Sequence, residues 1–106
     1  MDVALLIPVR NDAKNLNEIL LAINDQSYPP NEIVIVDSST NKEVLGIVEK
    51  YENNIPVIYH HERKAYPGKA RNIGVELAHG EWIAFLDSKT IPEEDWLERY
   101  QHLIQT

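Results

Sequence analysis

Cysteine is missing from this chain of 106 residues. That excludes disulfides, thiolate metal sites and cysteine nucleophiles, and it suits a reducing, cytoplasmic compartment. Long apolar runs are missing too: no stretch approaches the ~18 residues that would span a membrane. A leader is not expected either, because MDVALLIPVRND has no basic start and only a short apolar stretch, and so reads as a first strand. Positive charge is scarce. Lys and Arg number 10 against 17 Asp and Glu, a formal net charge of −7, which argues against a basic surface for nucleic acid. An acidic chain that holds an anionic ligand must gather local positive charge from a metal ion, from Lys or Arg, or from a helix N-terminus.

What is present is an ordinary globular composition, 43% hydrophobic and 25% charged, with no linker, repeat or low-complexity segment, so residues 1–106 are expected to form one domain. Strands are predicted at Val3–Val9, Glu32–Val36, Ile55–His60 and Trp82–Leu86. The spacing of Leu16, Ile19, Leu20 and Ile23 gives one apolar helix face, and Tyr28-Pro29-Pro30 stops that helix. Thr40-Asn41-Lys42-Glu43 fits a capping box ahead of a second helix carrying Val44, Ile47, Val48 and Tyr51. A third helix starts near Gly68 with Ala70, Ile73, Gly74 and Leu77 on one face, and Gly80 is placed as its C′ residue. Pro92 opens a fourth, with Glu93, Glu94 and Asp95 at its N-terminal end and Trp96, Tyr100, Leu103 and Ile104 as its stripe.

Alternation of strand and helix argues for an α/β fold: a three-layer, Rossmann-like sheet of four mainly parallel strands with helices on both faces. Order 3-2-1-4 is favoured, because it puts Pro56 on an edge strand, where a missing N–H does least harm. The ends of strands one, two and four then converge, bringing Pro8–Asn11, Asp37–Thr40 and Asp87–Thr90 to one crevice, where open α/β sheets bind ligands. Two apolar strands, EIVIV and WIAFL, each run straight into an aspartate there, Asp37 and Asp87.

Several segments together carry a family resemblance. Ile7-Pro8-Val9-Arg10-Asn11 matches an I-P-x-x-N opening, and Gln26-Ser27-Tyr28-Pro29 is similar to Q-T-Y-P. VIVDSST resembles V-V-D-x-x-S/T, GKARNIGVELAHGEW resembles G-x-x-x-A-R-N-x-G-x-x-x-A-x-G-E-Y, and Phe85-Leu86-Asp87-Ser88 resembles F-L-D-x-D. In order and at these spacings, they resemble the N-terminal half of a family 2 glycosyltransferase, of the GT-A nucleotide-diphospho-sugar transferase fold. The resemblance covers nearly the whole chain. It implies sugar transfer from a nucleotide-diphosphate donor to an acceptor hydroxyl. It further implies that Pro8, Val9, Arg10 and Asn11 lie along the nucleoside, that Asp37 bonds the base with Ser39 beside it, and that Lys69, Arg71 and Asn72 border the ribose and base. Asp87 and Ser88 would reach the ribose and a metal-bound diphosphate.

The chain departs from that pattern in the D-x-D element, which reads Asp87-Ser88-Lys89. A lysine stands where an acid would hold Mn²⁺ or Mg²⁺, leaving Asp87 as the one metal-ligand candidate of that element. Either Lys89 contacts the diphosphate in the cation's place, as a point charge on phosphate, or the site has lost its chemistry. The segment that would supply the catalytic base has no counterpart here, so the chain alone is expected to bind a donor without turning it over. In a longer protein it could sit at a membrane periphery. The rival readings are a non-catalytic nucleotide or nucleotide-sugar binding module and a remnant with no ligand. Strand four is expected to leave an open edge through which a homodimer could form.

Other features have plainer readings. His60 and His61 are strand neighbours that point to opposite faces and so do not share one ion. Trp82, Phe85 and Trp96 read as core. Gly68-Lys69 lacks the upstream glycine and the following hydroxyl of a phosphate loop.

Overall fold

The computed structural model describes residues 2–51, 53–64 and 66–105, with the side chains of Pro67, Ile104 and Gln105 outside the description. Eight elements alternate: β1 (Val3–Val9), α1 (Ala13–Asn24), β2 (Glu32–Asp37), α2 (Glu43–Lys50), β3 (Val57–His61), α3 (Pro67–Leu77), β4 (Trp82–Phe85) and α4 (Trp96–Gln105). The sheet order is β3-β2-β1-β4 and every pairing is parallel, as the sequence predicts. β1 and β2 are apolar on both faces because both are covered. One face packs β1 residues Val3, Leu5, Ile7 and Val9 against α1, α2 and α4. The other packs Leu6, Val34 and Val36 against α3 alone, through Ala70, Ile73 and Leu77.

Proline decides where β3 begins. Pro56 has no N–H to give, so the strand starts at Val57, two residues after the expected Ile55, while the Pro56 carbonyl still accepts the Ile33 N–H at 2.9 Å. β4 is the other edge. Its outward carbonyl at Ile83 is taken by the Tyr100 hydroxyl at 3.0 Å.

Three helix ends differ from expectation. No capping box forms at α2: the Thr40 hydroxyl bonds Asn11 Oδ1 at 3.2 Å, and the Glu43 N–H finds Asn41 Oδ1 at 3.0 Å instead. Gly80 is not a left-handed C′ residue, for no glycine here has positive φ. It is small because a β-carbon would stand 2.6 Å from the Ala4 backbone nitrogen. Gly74 likewise lets α3 settle onto Leu6, whose Cδ1 would lie 2.3 Å from an added β-carbon.

The third difference is at α4, which starts at Trp96 and not near Pro92, because a distant side chain holds its first turn. Gln26, 8% exposed, donates through Nε2 to the Glu93 carbonyl at 2.6 Å and accepts the Leu97 N–H through Oε1 at 3.1 Å. That register turns Trp96, Leu97 and Tyr100 inward and leaves Leu103, expected on the stripe, 74% exposed. Ile104, placed on the same stripe, lies outside the described side chains. Among the described residues no helix is long and apolar enough to cross a membrane.

The glycines give a paired test. Gly80→Ala drives a methyl into backbone and is expected to lower stability by ~2 kcal/mol. Gly46→Ala, in mid-helix with nothing within 4 Å of the added carbon, is expected to raise it by ~0.5–1 kcal/mol. Urea unfolding of both variants checks the contrast.

Candidate functional site

Register creates the site. β1 stays paired with β2 as far as Val9↔Asp37, whereas its pairing with β4 stops at Leu6↔Phe85. β1 therefore overhangs β4 from Leu6 to Val9, roughly 10 Å at ~3.3 Å per residue. The step becomes a crevice of about 570 Å³. Its walls are Pro8 and Val9 at the end of β1, Arg10 just past it, Ser38 just past β2, and Ala70 and Arg71 from the first turns of α3. Phe85 to Lys89, running off β4, completes it.

Charge inside the crevice opposes that of the chain. Arg10, Arg71 and Lys89 line it, with Asp87 as the one acid among the lining residues. Arg71 lies over the Phe85 ring, its guanidinium carbon 5.9 Å from the centroid, a cation–π contact that holds the charge at the rim. Phe85 is thus not core, as the sequence suggests, but 46% exposed. It points to the α3 face of the sheet, and α3 packs on β1 and β2 and leaves this end of β4 open. Trp82, likewise read as core, is 42% exposed near the same edge, while Trp96 packs against the core and stacks with Tyr100.

The segment after β4 is a fixed turn. Asp87 Oδ1 accepts the Lys89 N–H at 2.8 Å, and its carbonyl accepts the Thr90 N–H at 3.1 Å. One carboxylate oxygen of the exposed Asp87 thus closes the turn at the edge of the crevice. Ser88 is buried, and its hydroxyl donates to Asp12 Oδ2 at 3.3 Å. Asp12, which also accepts Asn15 Nδ2 at 3.2 Å, anchors the turn from the start of α1. Nothing in the sequence marks this anchor beyond a polar helix entry.

Asp37 sits otherwise than its sequence position suggests. It is fully buried and does not line the crevice; Ser38 does. Its Oδ1 accepts the Ser39 N–H at 2.9 Å and its Oδ2 the Tyr59 hydroxyl at 2.6 Å. Burial, and then the hydrogen bond to the Asp37 carboxylate, push the Tyr59 phenol well above its ordinary pKa, so it stays a donor. Ser39 is buried too, its Oγ accepting the Asn11 N–H at 2.7 Å. Asn11 is the one non-glycine residue at positive φ, 52°, among the described residues. Its Oδ1 binds the Thr40 N–H at 3.0 Å, which ties the loop after β1 to the loop after β2.

Of the residues expected at the site, the structure brings Pro8, Val9, Arg10, Arg71, Asp87, Ser88 and Lys89 to the crevice. Asn11, Asp37 and Ser39 do not line it: Asp37 and Ser39 are buried, and Asn11 is exposed. Lys69 and Asn72 are exposed on α3 and do not line it. Ser38 lines it within the expected stretch from Asp37 to Thr40, and Ala70, Phe85 and Leu86 line it although nothing in their type marks them as site residues. His60 and His61 do part company: His60 Nε2 lies 3.3 Å from Glu62 Oε1 and His61 Nε2 lies 3.0 Å from the Ser39 carbonyl, to which it must donate. No group of three or more metal-ligating side chains occurs among the described residues. A divalent cation at the crevice would therefore have Asp87 as its protein carboxylate and would need donor phosphates for the rest.

An open parallel sheet in the order β3-β2-β1-β4, with a crevice at its strand ends, is the α/β architecture of the GT-A glycosyltransferases. The profile of Glycosyl transferase family 2 matches residues 4–106, and the chain belongs to that family. It is 32% identical over 102 residues to glycosyltransferase AglE of Haloferax volcanii, covering 92% of this chain and 33% of AglE. It is 35% identical over 92 residues to the poly(ribitol-phosphate) beta-N-acetylglucosaminyltransferase TarS of Staphylococcus aureus, covering 83% of this chain and 16% of TarS. The S. aureus TarS 1-349 structure in complex with UDP-GlcNAc superposes with a TM-score of 0.86 at 31% identity, over 99% of this chain and 31% of that one. Mannosyltransferase PcManGT of Pyrobaculum calidifontis, in complex with GDP-Man and Mn²⁺, gives 0.79 at 25% identity, over 90% and 32%. The chain thus spans about a third or less of these relatives.

Asn11 offers a test of the loop tie. Asn11→Ala loses the side-chain bonds and puts an alanine in the left-handed region, and is expected to cost ~2 kcal/mol, whereas Asn11→Gly keeps the backbone comfortable and costs about half as much. Thermal melts of the two variants should rank in that order.

Proposed function

We propose that this chain is the donor-binding portion of a glycosyltransferase that transfers a sugar from a nucleotide diphosphate to an acceptor hydroxyl, and that it binds the donor without turning it over alone. The observation that carries this is the crevice: an acidic chain concentrates Arg10, Arg71 and Lys89 around one pocket at converging strand ends. A nucleotide diphosphate needs that arrangement, an apolar wall for the nucleoside and cations for the diphosphate. Pro8 and Val9 supply the wall, and Ser38 offers a hydroxyl at its base end. Arg71, steadied on Phe85, and Lys89 face the diphosphate, and the free Oδ2 of Asp87 faces the ribose or a phosphate-bound cation. Asn72 and Lys69 flank the mouth and act at longer range.

Lys89 bears on the metal. It adds a positive charge to the turn that would hold one, and Asp87 alone gives a cation a single protein carboxylate there. Diphosphate charge is then carried chiefly by Arg71 and Lys89. The relatives bound to UDP-GlcNAc, and to GDP-Man with Mn²⁺, support a nucleotide-sugar donor for this crevice. On this reading the acceptor side and the base that activates the hydroxyl are not supplied by these residues, which cover 33% of AglE and 31% of the UDP-GlcNAc-bound TarS 1-349 chain. A homodimer through the β4 edge would pair there with the Tyr100 hydroxyl already on the outward Ile83 carbonyl.

Calorimetric titration with UDP, GDP and dTDP tests the reading. At least one should bind, and a nucleotide at 100 times its Kd should add ~2.7 kcal/mol to stability. Arg71→Ala and Lys89→Ala should each weaken binding about tenfold or more, the loss of one charge-assisted contact. Removing Mn²⁺ with a chelator should change the wild-type Kd less than about threefold, while Lys89→Asp should make binding depend on Mn²⁺. Absence of binding to all three nucleotides would overturn the proposal.

A further inference from the structure

Asp37 poses a question that the crevice alone does not answer. It stands at the strand end nearest the nucleoside wall, yet it is sealed from solvent and touches nothing in the crevice. A buried carboxylate is costly unless each oxygen is hydrogen-bonded, and here each is. The partners form a continuous chain. Tyr59, on the edge strand β3, donates to Asp37 Oδ2 at 2.6 Å; Asp37 Oδ1 takes the Ser39 N–H at 2.9 Å; Ser39 Oγ takes the Asn11 N–H at 2.7 Å.

The two crevice residues at this end, Arg10 and Ser38, sit inside that chain. Arg10 lies between Val9, whose carbonyl accepts the Ser38 N–H at 2.9 Å, and Asn11, held by Ser39. Ser38 lies between Asp37 and Ser39, which are bonded to each other. Asn11 keeps its left-handed φ of 52° only while its neighbours fix it. The phenol hydroxyl is therefore the outermost support of the segment that presents Arg10 and Ser38.

We propose that Tyr59 is a positioning residue for donor binding: without touching the donor, it acts through Asp37 to set where Arg10 and Ser38 meet the nucleotide. The inference rests on the reading of the crevice as a nucleotide-diphosphate site. It also gives Asp37 a role other than direct contact with the base. Tyr59 holds its proton across the neutral range, because burial and the carboxylate both oppose ionisation, so the support does not titrate away under ordinary conditions.

Tyr59→Phe removes one oxygen and keeps the ring. The Kd for UDP and GDP is measured by calorimetry at low temperature, where circular dichroism shows the variant fully folded, beside the wild type. The expected result is a loss of affinity of about tenfold, the effect of leaving one buried charged group without its hydrogen bond. In an Asp37→Asn background the same change should cost less than about threefold, because the support it removes acts through the carboxylate. If Tyr59→Phe melts earlier but binds as tightly as wild type, Tyr59 only stabilises the fold and the proposal is overturned, whether or not the Asp37→Asn protein folds. A full affinity loss that persists in a folded Asp37→Asn background overturns the route through Asp37. If wild type itself binds no nucleotide, the crevice reading fails and this inference goes with it, an outcome distinct from the others.

Discussion

Everything at the functional end of this molecule depends on one strand being paired on both sides at two different depths. β1 runs level with β2 to Val9 but is matched by β4 only to Leu6. Hydrogen bonding between parallel strands leaves no freedom to slide, since a one-residue slip would turn every side chain to the other face. The apolar residues of β1 are buried on both faces, so the register is fixed from two directions at once. The crevice is the unfilled step that results, and the residues around it need only be of the right chemical type.

The two strand-end aspartates show how little residue type says about role. Asp37 and Asp87 follow similar apolar runs, EIVIV and WIAFL, at the same edge of the sheet. One is enclosed with both oxygens engaged. The other is exposed, with one oxygen closing a turn. The difference lies in what stands beside each strand: β2 is an interior strand with β3 supplying Tyr59, whereas β4 is an edge with open space on the α3 face. Position in the sheet decides the environment, and the environment decides whether a carboxylate is enclosed or left open at the crevice.

Much of the fold was legible. Strand order followed from Pro56 and from the alternation of elements, and the helix faces of α1 and α2 followed from spacing. The family was legible from five short segments, and seven of the expected site residues do line the crevice. What stayed hidden were the long-range side-chain bonds. Thr40 looked like a helix cap but serves Asn11, 29 residues away. Glu32, an ordinary strand-start acid in the sequence, is 8% exposed and binds the Gly80 N–H at 2.9 Å, pinning the turn into β4. Phe85 looked like core because nothing in a local pattern says that α3 falls short of the edge strand. Such partners are chosen by topology, and local propensity carries no record of them.

Gln26 carries a consequence for how the molecule assembles. Its amide closes on Leu97 across 71 residues of chain, so the turn that starts α4 is completed by the loop between α1 and β2. Loop closure over such a span is paid before its contacts are returned. The first turn of the final helix is thus held from the far end of the sequence, and a change at Gln26 reaches the segment that follows the Asp87–Lys89 turn.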